Sequence, residues 1–332
     1  MKDKIHIIAE AGTNNNGSLQ KARNLVDIAS RSGADSVKFQ MINTWGLYLP
    51  GEYDYGHYNI KDVLNIREKG EMTDEEYKQL AQYSIEQGIK FSSSVFDTKA
   101  IDLLASMNPP YVKIASCDLN NTRFLREVAD RGIKMVVSTG MSTLQDIENS
   151  VKVLTSKGFE DIVLLHCVSV YPADIDQTNI RFISKLKEEF GFEIGFSDHT
   201  ATSHAACMAM TEGATWFEKH FTEDKNQEGL DHAYALNEIE LTDYVTDLHK
   251  ASSALEHKES KISEKEFYTR KRARRSLYAA TDLKKGEIIR DEDVLCVRPE
   301  NILQADQIDL VVGKTLCSDL SKFEPFNLDV VE

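Results

Sequence analysis

Short β-branched segments alternate with amphipathic helical segments through residues 5–257 of the chain. Eight segments are predicted to be strands: 5–11, 35–41, 89–95, 110–116, 133–139, 161–167, 192–197 and 214–221. Helical patterns, such as those at 18–33 and 240–257, follow nearly all of them. Eight strand–helix units of about thirty residues predict an α/β fold, a parallel (β/α)8 TIM barrel, with a doubly wound sheet as the main alternative.

Two regions depart from this alternation. The connection 43–72 is long and rich in Gly, Tyr and Asn, and such loops usually serve function or are disordered. After His257 the charged segment 258–275 is predicted to be a linker or an exposed helix, and residues 276–332 contain short strands and turns. We therefore expect a barrel domain at 1–257, a linker, and a separate small β-rich domain.

The charge and cysteine content of the chain limit its partners and its location. A formal net charge of -15 at pH 7 argues against nucleic acid and anionic membranes as partners, so an anionic ligand needs a local group of cations. The basic cluster Arg270–Arg275 fits a solvated or interface face better than a nucleic-acid site. No membrane span or secretory signal is predicted, and the five widely spaced cysteines suit reduced thiols, so we expect a cytoplasmic protein.

Polar residues at the carboxyl ends of the predicted strands are the candidates for chemistry, because TIM-barrel active sites lie there. They include Glu10, Lys38, Gln40, Lys113, Ser116, Asp118 and Ser138–Gly140. Lys38 and Lys113 stand in apolar segments, where an unpaired ammonium is unfavourable unless it meets an anion. The neighbouring hydroxyls and Gly140 are parts of a phosphate or carboxylate cradle. A structural ion pair with Glu10 or Asp97 is the alternative for these lysines.

Two histidines close neighbouring strands, His199 after the seventh and His220 in the eighth. Two neutral imidazoles at one corner of the barrel mouth suit a divalent transition metal, whereas a lone histidine is more often a packed residue or a general base. Asp231 could orient sugar hydroxyls, support the metal, or simply occupy a turn. Tyr171 could present its hydroxyl to the site, and His166 is equally well a packed strand residue.

A set of motifs runs along the whole chain in a recognisable order: IIAEAGTNNNGS, GADSVKFQ, YVKIAS, STGMSTL, LLHCVSVYP, GFSDHT, EKHFT and RRSLYA. In these motifs the chain resembles the N-acetylneuraminate synthase family, which includes sialic, legionaminic and pseudaminic acid synthases. Residues 276–332 resemble the antifreeze-like (SAF) domain of that family. The resemblance implies condensation of phosphoenolpyruvate with N-acetylmannosamine, or with a dideoxy diamino analogue, to give a nine-carbon sialic-acid-type keto acid and phosphate.

The same resemblance implies roles for individual residues and a partner subunit. Phosphoenolpyruvate would be held by Lys38, Lys113, Ser116, Ser138 and Ser197. Manganese, with magnesium or cobalt as alternatives, would be bound by His199 and His220. The sugar would be addressed by Glu10, Asp118, Tyr171 and Asp231, and its N-acyl group by Arg298. The resemblance also favours a homodimer that exchanges the small domain, so that Arg298 serves the other chain.

Three positions depart from the family pattern. Asn15 stands where a histidine is often found near the sugar, and the segment Ser93–Asp97 lacks the usual proline. Glu300 and Ile302 replace two glycines after Arg298, which predicts a different loop path. We therefore expect a substrate other than plain N-acetylmannosamine to be used at least comparably well. The alternative functions are a condensation with a shorter or non-acylated sugar, and a noncatalytic sugar-binding or regulatory protein.

Overall fold

The computed structural model describes residues 5–49, 51, 54, 55, 58–256 and 262–332, with the backbone alone at 54, 55, 58 and 59. The chain consists of two compact units, divided between Glu256 and His257. The predicted barrel end at His257, residues 258–261 of the predicted linker, and part of the predicted loop 43–72 lie outside the described residues.

The strands follow the predicted segments closely. In chain order they are β1 (His6–Gly12), β2 (Ser36–Met41), β3 (Asp54–Tyr55), β4 (Tyr58–Asn59), β5 (Lys90–Val95), β6 (Val112–Ile114), β7 (Met135–Ser138), β8 (Ile162–Cys167), β9 (Glu193–Asp198), β10 (Trp216–His220), β11 (Ser276–Ala279) and β12 (Val294–Val297). Eight of them close into one barrel in the order β1-β10-β9-β8-β7-β6-β5-β2. All neighbouring barrel strands are parallel, which confirms the TIM barrel and excludes the doubly wound sheet.

The helices cover the outside of the barrel. In the barrel unit they are α1 (Leu19–Arg31), α2 (Thr44–Leu47), α3 (Ile60–Lys69), α4 (Asp74–Glu86), α5 (Thr98–Ala105), α6 (Thr122–Ala129), α7 (Leu144–Thr155), α8 (Phe182–Phe190), α9 (His204–Thr211) and α10 (Glu238–Leu255). The C-terminal unit has its own helix, α11 (Glu264–Ala273). Capping boxes at Thr73, Thr143 and Asn237 satisfy the first amides of α4, α7 and α10. The main core lies between the helices and the outward side chains of the strands.

The interior of the barrel has an apolar floor and a polar top. Ile8, Tyr111, Val136, Val163, Leu165 and Trp216 form a buried cluster inside the strands. Side chains two residues apart on a strand share a face, so polar residues two positions after these floor residues also point inward. They are Glu10 after Ile8, Lys113 after Tyr111, Ser138 after Val136 and Glu218 after Trp216. A desolvated polar layer therefore caps the floor at the carboxyl ends of the strands.

The connection after β2 is more ordered than predicted. It contains α2, the antiparallel pair β3–β4 and the ten-residue helix α3. In α3, Ile60 and Leu64 are buried one turn apart, the spacing of an amphipathic helix. The prediction of a loop was wrong for this part. The Gly, Tyr and Asn content of the segment is typical of a loop, and the apolar spacing that indicates a helix extends over only one turn.

The C-terminal unit is held by its own core. β11 and β12 pair antiparallel, and Leu277, Leu283, Ile289, Leu316 and Phe326 belong to one buried apolar cluster. The exposed helix α11 covers most of the predicted linker and has no buried residue.

Glu300, one of the two residues in place of glycine, is fixed by α11. It accepts a 2.8 Å hydrogen bond from Nε of Arg270, and its amide donates to the carbonyl of Lys271. Neither Glu300 nor Ile302 has a positive φ, so the loop path is one that side chains tolerate.

Within the described residues, no helix combines the length and the apolar character that a membrane span requires.

Candidate active site

A buried charge cluster occupies the polar layer at the barrel mouth. Nζ of Lys38 lies 2.6 Å from Oε2 of Glu10 and 3.6 Å from Oε2 of Glu218. It also donates a 2.9 Å hydrogen bond to Oγ of Ser94. All of these side chains are almost fully buried. The ion pair with Glu10, one alternative from the sequence, is therefore the state of Lys38 here, while Asp97 instead caps α5.

Lys113 lies beside this cluster without a carboxylate of its own. Its Nζ donates to Oγ of Ser138 at 2.7 Å and to the carbonyl of Ile114 at 3.0 Å, and it forms no ion pair within the described residues. The side chain is 3% exposed. A buried ammonium that is bonded only to neutral oxygens is poised for an anion.

A small polar recess adjoins Lys113. Oγ of Ser116 accepts a 3.1 Å hydrogen bond from the amide of Gly140. A Cβ at Gly140 would lie 2.7 Å from Sγ of Cys167 and 2.8 Å from Oγ of Ser116, so only glycine fits at this position. The recess thus offers a backbone amide and hydroxyls next to a cation, as anion cradles do.

Burial sets the protonation of the cluster. Burial, with repulsion from Glu218, raises the pKa of Glu10 from 4.5 to about 7, although Lys38 opposes the shift. Burial alone would raise the pKa of Glu218, but Lys113 and Lys38 outweigh it and hold that pKa well below its usual range. Burial lowers the pKa of Lys113, whereas in Lys38 the two carboxylates outweigh burial and raise the pKa.

The two histidines meet next to this cluster. The ring centroids of His199 and His220 are 5.7 Å apart. Nδ1 of His199 lies 2.6 Å from the carbonyl of Val168, and its Nε2 lies 3.3 Å from Oγ of Ser197, which donates to Glu218 at 2.8 Å. Nδ1 of His220 is buried and has no hydrogen-bond partner among the described residues. Burial lowers the pKa of both rings, that of His199 to about 4, so both are neutral at pH 7.

A cavity of about 510 Å³ opens above the histidines. Tyr171 and Tyr234 form an aromatic wall, with ring centroids 5.1 Å apart and that of Tyr171 4.1 Å from His199. Asp231 lines the cavity and accepts a 2.7 Å hydrogen bond from the hydroxyl of Tyr234. Burial alone would raise the pKa of Asp231, but interactions with His220 and with the guanidinium of Arg67, and the hydrogen bond from Tyr234, together lower it. The cavity therefore presents a carboxylate and two phenols beside His220.

Most of the predicted site residues come together. Direct contacts or the shared cavity join Glu10, Lys38, Ser197, His199, His220, Tyr171 and Asp231, while Lys113 with Ser138, and Ser116 with Gly140, form the adjoining recess. The carboxylate of Asp118 contacts Asn121 and Cys117 just beyond β6, and no contact among the described residues joins it to the cluster. Arg298 lies in the C-terminal unit, after β12. His166 is packed against Phe182 and Phe196.

Sequence reasoning missed three residues of the site. Glu218 provides the second carboxylate of the cluster, and its spacing of two from His220 on β10 was a readable signal. Tyr234 supports Asp231 from the loop after β10. Arg67 lines the cavity from α3, and no signal pointed to it because that segment was taken as a loop.

Comparison with known proteins gives the same assignment for both units. The model of the NeuB family matches residues 25–260, and the SAF domain model matches residues 274–329. The N,N'-diacetyllegionaminic acid synthase of Campylobacter jejuni is 35% identical over 94% of this chain and 95% of that protein. The N-acetylneuraminate-9-phosphate synthase of Drosophila melanogaster is 32% identical over 97% of this chain and 95% of that protein. A crystal structure of the N-acetylneuraminic acid synthetase of Leptospira borgpetersenii, in complex with citrate, covers 80% of this chain and 90% of its own at 30% identity, with a TM-score of 0.72.

The raised pKa of Glu10 predicts a specific loss of stability with rising pH. Between pH 4.5 and about 7 the folded carboxyl keeps a proton that the unfolded chain has lost, so the free energy of unfolding falls through this window. Glu10→Gln removes the titration. The free energy of unfolding of the variant minus that of the wild type should therefore increase by up to about 3 kcal/mol from pH 4.5 to 8, measured by urea unfolding without ligand or metal.

Glu75→Gln, at an exposed position of α4, is the matched control and should show a flat difference over the same range. A flat difference for Glu10→Gln as well would show that this carboxyl titrates normally.

Proposed function

This chain belongs to the NeuB family, and we propose that it condenses phosphoenolpyruvate with an N-acyl hexosamine-type aldehyde to give a nine-carbon sialic-acid-type keto acid and phosphate. N-Acetylmannosamine or a dideoxy diamino analogue is the proposed sugar. The observation that carries the proposal is Lys113, a buried ammonium that donates to one hydroxyl and one carbonyl and forms no ion pair among the described residues. A separate cavity of about 510 Å³ is lined by His220. A small dianion and a hexose are the kinds of ligand that such a pair of sites suits.

The polar layer at the barrel mouth is the proposed binding site for the anionic substrate. Lys113, Ser116, Ser138 and the amide of Gly140 offer donors for the phosphate or carboxylate of phosphoenolpyruvate. Lys38 forms ion pairs with Glu10 and Glu218, whereas Lys113 donates only to neutral oxygens and interacts with Glu218 beyond ion-pair distance. Ser197, whose hydroxyl lies between Glu218 and His199, connects this side to the histidines.

The proposed chemistry forms one carbon–carbon bond and breaks one carbon–oxygen bond. C3 of phosphoenolpyruvate attacks the aldehyde carbon, the aldehyde oxygen gains a proton, water adds at C2, and the C2–O bond to phosphate breaks. With a pKa of about 7, Glu10 can hold or release a proton near neutral pH, as an acid–base group must. Tyr171 and Asp231 line the cavity and are proposed to orient the sugar. By the family resemblance, Asp118 is also proposed to contact the sugar.

His199 and His220 fit a metal ion in part. Both rings are neutral, and Nδ1 of His220 is a buried atom without a hydrogen-bond partner among the described residues. No group of three or more His, Cys, Asp or Glu side chains within the described residues is arranged to hold a metal, so two protein ligands would leave the remaining positions to water and substrate. We propose manganese, with magnesium or cobalt as alternatives. Such an ion would polarise the aldehyde oxygen as a Lewis acid.

The proposal also covers assembly and location. By the family resemblance, the protein forms a domain-swapped homodimer in which Arg298 of the partner subunit reaches the N-acyl group. We also propose a cytoplasmic location. All five cysteines are free, which is typical of proteins in a reducing compartment.

The proposed reaction is tested by supplying phosphoenolpyruvate with a panel of aldoses. N-Acylated hexosamines should release phosphate and yield products whose mass is the sum of both substrates and water minus phosphoric acid. Non-acylated and shorter aldoses should react poorly. Absence of product with every sugar, at any metal tested, would favour a sugar-binding protein.

Lys113→Met should chiefly weaken the use of phosphoenolpyruvate. Because it removes a buried ammonium that is hydrogen-bonded only to neutral oxygens, KM for phosphoenolpyruvate should rise by about 10² or more, with a smaller change in KM for the sugar. Lys90→Met, at the exposed start of β5, is the matched control and should behave as the wild type. Unchanged kinetics for Lys113→Met would make this lysine structural.

Removal of divalent metal should abolish product formation, and manganese should restore it. His220→Ala should lose about 10²-fold or more in kcat/KM, since it removes one of the two proposed ligands. His249→Ala, at an exposed position of α10, should retain activity. Full activity of a protein shown by elemental analysis to be free of metal would reject this part of the proposal.

Mixed dimers test the exchange of the small domain. Arg298→Ala and His199→Ala should each be nearly inactive alone. Co-expressed chains should recover about a quarter of wild-type activity, because half of randomly assembled dimers are mixed and one of their two sites is intact. If mixed dimers are verified by mass and no activity returns, Arg298 serves its own barrel.

A further inference from the structure

Arg67 is a cation in the cavity that the proposed reaction does not use. It lies on α3, outside the ring of barrel strands, and lines the same cavity as His220 and Asp231. Its Nη1 donates a 2.9 Å hydrogen bond to Oγ1 of Thr13 in the loop after β1. That bond fixes the orientation of the planar guanidinium.

One donor of this guanidinium has no acceptor among the described residues. Nε of Arg67 is buried and has no hydrogen-bond partner among the described residues. An unpaired buried donor is unfavourable, so its persistence indicates a group that arrives with the ligand. The nearby carboxylate in the cavity wall, Asp231, is already bonded to Tyr234.

The surroundings of Arg67 decide which acceptor it suits. Val63 and Ile60, one and two turns earlier on α3, line the same cavity, and Leu230 and Ala233 add further apolar surface. A phosphate dianion would call for several cations or amides, whereas Arg67 is the one Lys or Arg among the described residues that line this cavity, and the carboxylate of Asp231 already offsets part of its charge. A carbonyl oxygen next to a methyl group matches both features.

We propose that Arg67 is a specificity-determining residue that donates to the carbonyl oxygen of a second acylamino group on the sugar, with Ile60 and Val63 against its methyl. This inference rests on the proposed function, which places the aldehyde next to the histidines. His220 ends β10, while Arg67 comes from α3, so the far end of the sugar meets α3. The preferred substrate class is then a hexose with an acylamino group in place of one ring hydroxyl, in addition to the usual one.

The test compares N-acetylmannosamine with its analogue that carries a second acetamido group. For Arg67→Met, kcat/KM for the diacylated sugar should fall about 10- to 100-fold, mainly through KM, as expected for loss of a hydrogen bond from a charged donor. The loss of kcat/KM for N-acetylmannosamine should be smaller by about fivefold or more, and KM for phosphoenolpyruvate should change less than KM for the diacylated sugar. Lys69→Met, an exposed cation on the same helix, should leave both sugars unchanged.

Arg67→Lys keeps the charge and should lie between the wild type and Arg67→Met, and thermal unfolding of both variants checks that α3 is intact. An equal loss for both sugars, or no loss, overturns the inference while the synthase activity stands. A selective loss for a phosphorylated hexosamine instead makes Arg67 a phosphate ligand and also overturns it.

A binding measurement separates this inference from the proposed function. If the wild type turns over no sugar, calorimetric titration with the diacylated sugar still reports on the subsite. Binding that is weakened about tenfold or more in Arg67→Met supports the subsite although the reaction fails, and unchanged or undetectable binding overturns it.

Discussion

The buried charges of Glu10, Glu218, Lys38 and Lys113 are the constraint on which the rest of the site depends. Desolvation of four ionisable groups is unfavourable unless they compensate one another, and removal of one partner leaves an uncompensated buried charge. The two carboxylates and the two ammonium groups are equal in number, but the carboxylates lie closer to one ammonium than to the other. Lys38 is close to both carboxylates, while Lys113 has only neutral oxygens within hydrogen-bond distance. This asymmetry makes the layer receptive to an anion at one particular point.

The barrel makes such a layer possible because it places the charges on rigid strands above a dry floor. Tyr111, Val136 and Trp216 fill the interior below, and water is excluded from that side. Parallel strands end at the same rim, so residues distant in sequence, such as Glu10 and Glu218, become neighbours. Low dielectric strengthens every interaction at this level, including those with a bound dianion. The same desolvation keeps His199 and His220 neutral.

The sequence predicted the strands, the lysines and the histidine pair because each depends on local patterns. A lysine in an apolar segment is visible without knowledge of the fold, and so is a histidine at the end of a strand. The pairing of Lys38 with Glu10 and Glu218 depends on the order in which strands close, so the sequence left it as an alternative. Arg67 was invisible for another reason. Its helix arises in a segment whose composition is that of a loop, and whether an arginine there points inward depends on packing against the loop after β1.

The proposed anion site and the proposed sugar subsite therefore belong to different structural elements of the molecule. Lys113 and Ser138 are fixed by β6 and β7, whose neighbours on both sides constrain them. Arg67 and Thr13 belong instead to α3 and to the loop after β1, where Asn15 replaces the histidine often found in the family. Asn15 is buried, and its Nδ2 has no partner among the described residues. The loop after β1 thus carries one departure from the family pattern, Asn15, and the hydroxyl of Thr13 that holds Arg67, and loops tolerate change that strands do not. A chain of this kind can acquire a new sugar preference without altering the layer that we propose binds the anionic substrate.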